Sequence, residues 1–73
     1  MENKVKSYIE KEYELSKKYC KSADSVRCAI NRCYGIIMFA LNELFDDPNY
    51  NLNNWWDDKM LPKFRKLERE KEN

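Results

Sequence analysis

The carboxylates and thiols are where this sequence could do chemistry, because it contains no histidine. Without an imidazole it lacks the usual general base near neutral pH and the commonest metal ligand. Glu12 is the most unusual acid. It lies within an apolar stripe, between Ile9 and Leu15, with Tyr8 and Tyr19 flanking it. A lone carboxylate in such a place needs a cationic or hydrogen-bonding partner, or its pKa rises. Either it accepts hydrogen bonds from tyrosine hydroxyls or an arginine, or it serves an interface. No second acid shares that face, so a general acid–base pair is not indicated.

Asp46, Asp47, Asp57 and Asp58 form a second acidic group. Their spacing matches no calcium loop. Asp57 and Asp58 suit the start of a helix, but Asp46 and Asp47 fall at the end of one, where the dipole disfavours them. That misfit argues weakly for a use. Cys20, Cys28 and Cys33 form no C-x-x-C pair, and a zinc site would need all three plus an acid. Three cysteines cannot all pair within one chain, and Met1 to Lys4 open no export signal. Reduced thiols and a cytoplasmic location are therefore expected. Glycine-rich phosphate loops, nucleophile elbows and dinucleotide fingerprints are missing. The expectation is a protein that is not an enzyme and holds no metal or cofactor.

Charge is uneven. Between residues 17 and 32 stand Lys17, Lys18, Lys21, Arg27 and Arg32 against Asp24 alone. Between Cys33 and Asp58 there is no Lys or Arg, only Glu43 and the four aspartates. A basic turn of this kind is a candidate phosphate contact, with Tyr13 and Tyr19 near it, although a net charge of +1 gives no global pull toward nucleic acid.

These residues must be positioned by helices. Seventy-three residues make one small domain, residues 1–73, near the lower limit for a chain that folds alone. One Gly and two Pro leave little material for the turns of a β-fold. A first helix is expected over about 2–20. Val5, Tyr8, Ile9, Tyr13, Leu15 and Tyr19 lie on one side of it, and Glu2–Lys6 and Glu14–Lys18 are favourable pairs. Ser22 is set to cap a second helix over about 23–46. Val26, Ile30, Cys33, Ile37, Ala40, Leu41 and Leu44 form its stripe. Ala29, Tyr34, Ile36, Met38 and Phe45 widen that stripe to an arc of roughly 200°, twice the ordinary width. The longest apolar run, Ile36 to Leu41, is too short to span a bilayer.

Pro48 ends this helix. A loop over 47–53 follows, anchored by Leu52 and Tyr50. A third helix over about 54–70, capped by Asn53 or Asn54, carries Trp56, Met60, Phe64 and Leu67, with a break near Pro62. Arg65 to Asn73 reads as a solvated, fraying tail.

The expected fold class is therefore all-α: a small three-helix domain, an antiparallel helical hairpin plus a kinked C-terminal helix. The arc of the second helix is too wide for two narrow neighbours. A second copy of the chain, or a host protein, is expected to cover the rest. The candidate interface residues are Tyr34, Met38, Phe39, Tyr50 and Trp55, since exposed Trp and Tyr are favoured interface anchors. For Trp55 the alternative is that it lies over the loop and completes the core. Gly35, mid-helix beside Phe39, fits either simple tolerance or the close approach of another helix. The expected function is a non-enzymatic, homodimeric protein–protein interaction module. Size and a Lys- and Asn-rich composition suit an accessory protein of a bacterium or its phage. The alternative is a nucleic-acid-associated regulator contacting phosphates through Lys17, Lys18, Lys21, Arg27 and Arg32.

Overall fold

In the computed structural model, residues 1–72 are described. They form three helical arms and no strand, packed into a rod of 40 × 18 × 16 Å. Asn73, the last residue of the expected tail, lies outside them. Helix α1 spans Glu2–Tyr19 and α2 spans Ala23–Phe39. The turn between them is set by Ser22, whose Oγ accepts from the Ser25 amide at 3.2 Å. The third arm runs without a break from α3, Asn51–Trp55, through a π turn, Trp56–Met60, into α4, Leu61–Glu70.

The expected break near Pro62 does not occur. Proline removes one amide donor, and its ring crowds the carbonyl four residues earlier. The chain relieves this by widening the preceding turn, so that the Leu61 amide donates to the Trp56 carbonyl, one residue further back than in an α-helix. The second helix ends in a similar way. After Phe39 it continues as a π turn, Ala40–Leu44, closed by the Phe45 amide on the Ala40 carbonyl at 3.2 Å. It stops two residues short of the expected end at 46. The extra residue in this turn rotates Leu44 off the stripe, and Leu44 is exposed rather than core.

The third arm starts at residue 51, earlier than expected. Its capping group is neither Asn53 nor Asn54 but Asp47. Asp47 Oδ1 accepts from the Asn51 amide at 2.9 Å, and Oδ2 accepts from the Leu52 amide at 3.0 Å. Pro48 forces Asp47 out of the helix, and its side chain folds forward onto the next helix start. The supposed misfit of Asp47 at a helix C-terminus thus disappears. Tyr50 takes the left-handed conformation, φ 57°, to turn the chain into α3. Its ring points away from the core, so Leu52 alone of the expected pair is buried.

Helix α2 is the centre of the bundle, packed against α1 on one side and α4 on the other. The core joins Val5 and Ile9 of α1 to Val26, Ala29, Ile30, Cys33, Ile37 and Ala40 of the second helix. Leu52, Trp56, Met60, Phe64 and Leu67 of the third arm complete it. The Phe64 ring is its hub, edge-on to Tyr13 at 5.2 Å and tilted against Trp56 at 5.7 Å. The stripe on α1 is narrower than expected. Ser16 and the half-buried Tyr13 complete it, while Tyr8, Leu15 and Tyr19 are exposed.

Candidate interaction surface

Two intrachain neighbours cover the apolar stripe of α2. Val26, Ile30, Cys33 and Ile37 are all at most 5% exposed. The stripe itself is thus covered by two helical neighbours, α1 and the long third arm, helical through Pro62, and only the flank of the wide arc is left for a second copy or a host protein. What remains uncovered lies on the flank. Tyr34 is 53% exposed, Met38 39% and Phe39 57%. At 100° per residue, Cys28, Gly35 and Phe39 run along the helix face turned away from the core, with Met38 beside them and Tyr34 at its edge toward α4. A Cβ built on Gly35 would meet nothing within 4 Å, so no helix of this chain approaches it closely. Tyr34 borders a cleft of about 290 Å³ between α2 and the third arm, with Ile30, Trp56 and Leu61 among its walls.

Tyr50 and Trp55 stand on the third arm, apart from this helix face. Tyr50 is fully presented, but Trp55 is half-buried and packs on the core. The Lys6 ammonium sits 5.6 Å from the centre of its ring. Trp55 thus completes the core and is capped by a cation from α1, which leaves it a lesser share of any interface.

The five basic residues are not equivalent. Arg27 donates to Glu68 at 2.7 Å and also pairs with Asp24. Arg32 lies 3.6 Å from Glu12, and Lys17 lies 3.7 Å from Glu14. Lys18, expected to pair with Glu14, instead sits over the Tyr19 ring at 5.3 Å. Lys18 and Lys21 take part in no ion pair among the described residues.

Glu12 takes the first of its two readings. Tyr8 donates to its Oε1 at 3.1 Å and Arg32 faces its Oε2. The Tyr8 hydroxyl is held above its usual pKa by this hydrogen bond and by the carboxylate charge.

Glu68 is the polar residue that sequence reasoning missed. It lies in the stretch expected to be a solvated tail, yet it is buried against α2 and accepts from Arg27 and from Arg65, at 2.7 and 3.1 Å. The hydrogen bond from Arg27, then that from Arg65, holds its carboxyl below the ordinary value. The one available signal was its place one residue after Leu67, at the edge of the Phe64–Leu67 stripe.

Burial pushes the Cys33 thiol up to about 11, with the Glu12 charge adding to it. Cys28 is exposed, and all three cysteines are free. Among the described residues no three His, Cys, Asp or Glu side chains come together to hold a metal ion. Among the described residues no helix is long and apolar enough to cross a membrane.

No protein-family model matches the chain, and no curated protein or solved structure matches it significantly.

Proposed function

We propose that this chain is a non-enzymatic helical interaction module that pairs with a second copy of itself through the outer face of α2. The observation that carries this reading is the juxtaposition of exposed Phe39 and Met38 with the open Gly35. Large apolar side chains standing in water beside a position with no Cβ suit the approach of another helix. The half of the face beyond Arg32 also carries no charge of its own. From Cys33 to Asn42 the sequence has no ionisable residue other than Cys33 and Tyr34, so two copies can meet there across a two-fold axis without like-charge repulsion. Three free cysteines, an odd number, suit a reducing compartment such as a cytoplasm. An accessory role in a bacterium or its phage is the setting that size and composition suit.

Sedimentation equilibrium over a wide concentration range tests the reading. We expect a dimer that Phe39→Glu converts to a monomer with unchanged helical content. A wild-type chain that stays monomeric at its highest soluble concentration overturns it. Binding to an oligonucleotide that falls steeply with salt, and that is lost when Lys18 and Lys21 are neutralised, would instead favour the phosphate-contact reading.

A further inference from the structure

We infer that the outer face of α1 is a second docking surface, and that its occupant is an acidic amphipathic helix of a different protein. The argument starts from spacing. Met1, Tyr8 and Leu15 recur every seven residues, with Tyr19 four further on, and all four are exposed. Seven residues is two helical turns, so they form one seam along the helix. It lies beside the buried Val5–Ile9–Ser16 stripe rather than within it. Leu15 stands between two hollows. One, of about 210 Å³, is shared with Tyr8, Lys11 and Glu12. The other, of about 230 Å³, is shared with Glu12, Tyr19 and Arg32. Hollows on either side of an apolar ridge are what the side chains of a packed helix fill.

Charge then decides the occupant. Lys4, Lys11 and Lys18 also recur every seven residues, on one flank of the seam, and none has an ion-pair partner among the described residues. The other flank holds Glu12, already engaged by Tyr8 and Arg32. The seam is therefore apolar along its middle and basic along one edge. A second copy fits it poorly. Antiparallel pairing across a two-fold axis sets the lysine row against its own copy, and like charges facing across an interface cost affinity. Parallel pairing offers the row only Glu12 as an acid, and Arg32 holds it. A phosphate backbone would meet the lysines but leave Leu15 and its hollows unfilled. A helix with apolar residues in heptad spacing and Asp or Glu beside them satisfies both features.

The test uses the full chain and a designed helical peptide with leucines in heptad positions and glutamates flanking them. The control peptide has those glutamates replaced by lysines. Amide chemical shifts of the labelled protein report the site. We expect the acidic peptide to bind, with shifts centred on Tyr8, Lys11, Leu15 and Tyr19, and the basic peptide to bind at least about ten-fold more weakly. Lys11→Glu with Lys18→Glu should reverse that preference, and Leu15→Asp should abolish binding. All three positions are exposed, so the variants should stay folded. If Leu15→Asp does not, the charge reversal decides alone. Equal binding of the two peptides, shifts centred on Phe39, tighter binding of a single-stranded oligonucleotide, or no shifts at all would overturn the inference. None of these readouts depends on whether the α2 face self-associates.

Discussion

Arg27 on α2 and Glu68 on α4 stand 41 positions apart in sequence and meet at 2.7 Å. The bond ties the C-terminal arm to the central helix just where the sequence reads as a loose tail. Arg65 donates to the other oxygen of the same carboxylate, so one acid is shared by two guanidinium groups.

That sharing makes stability depend on pH with a defined sign. The folded-state pKa of Glu68 lies below its ordinary 4.5. Its contribution is therefore fully present above about 4.5 and fades as the pH falls through the lowered native value. Thermal melts from neutral to acid pH should show the melting temperature of the wild type falling faster than that of Glu68→Gln. Parallel curves would show that the pair contributes nothing.

Phe64 is fully buried against Tyr13 and Trp56, so its removal opens a cavity where the third arm meets α1. Phe64→Ala should cost about 3–5 kcal/mol, a large part of the stability of so small a domain. Urea denaturation followed by tryptophan fluorescence measures it. Loss of less than about 1 kcal/mol would mean the core closes over the gap.

Asp47 accepts amide hydrogens from the first turn of α3. Asp47→Ala should destabilise the chain by about 1 kcal/mol, and Asp47→Asn by less, because asparagine caps nearly as well. Hydrogen exchange should localise the change to Asn51 and Leu52. Equal effects of the two substitutions would argue against a capping role.

Gly35→Ala separates the helix from its surface. With nothing within 4 Å, the added methyl group meets no clash, and the monomer should gain about 0.5–1 kcal/mol of stability. If the outer face of α2 closes on another copy at Gly35, the same substitution weakens the dimer. Denaturation midpoints measured at low and high protein concentration should therefore shift in opposite directions relative to the wild type. A uniform gain at both concentrations would show that no helix packs closely there.

The cysteines should fall into distinct classes. Exposed Cys28 should react with a thiol reagent at mildly alkaline pH in the native protein, whereas Cys33 should react only after unfolding. Because the folded-state pKa of Cys33 is raised to about 11 from an ordinary 9.0, its share of stability is present below pH 9 and lost as pH rises through 11. Comparable native rates for the two would contradict this burial.

The buried stripes were legible because local periodicity reports them. Val26, Ile30, Cys33 and Ile37, and likewise Trp56, Met60, Phe64 and Leu67, are core residues in the order their spacing implies. The all-α class and the Ser22 cap follow from equally local signals. Features that depend on a distant partner were not legible. Glu68 looks like any tail glutamate until α2 brings Arg27 to it, and Asp47 looks like a helix end until the chain doubles forward past Pro48. On α1 the apolar residues fill a wide sector, and nothing in their spacing says which half a neighbour takes. The packing of α2 chose Val5 and Ile9 and left Tyr8, Leu15 and Tyr19 in water.

The π turn before Pro62 does more than admit a proline. A stripe with two successive spacings of four creeps around an ordinary α-helix by about 40° at each step. Trp56, Met60 and Phe64 have such spacings, yet all three are at most 2% exposed. The wider turn winds more slowly and takes up that creep, like a leap day inserted to keep a calendar in season. The third arm is thus tuned in length. Adding a further residue there, beside exposed Asp57, would exceed what one wide turn takes up and swing Phe64 and Leu67 together out of alignment with α2. Deleting Asp57 would instead return the turn to ordinary α geometry, with spacings of three, four and three.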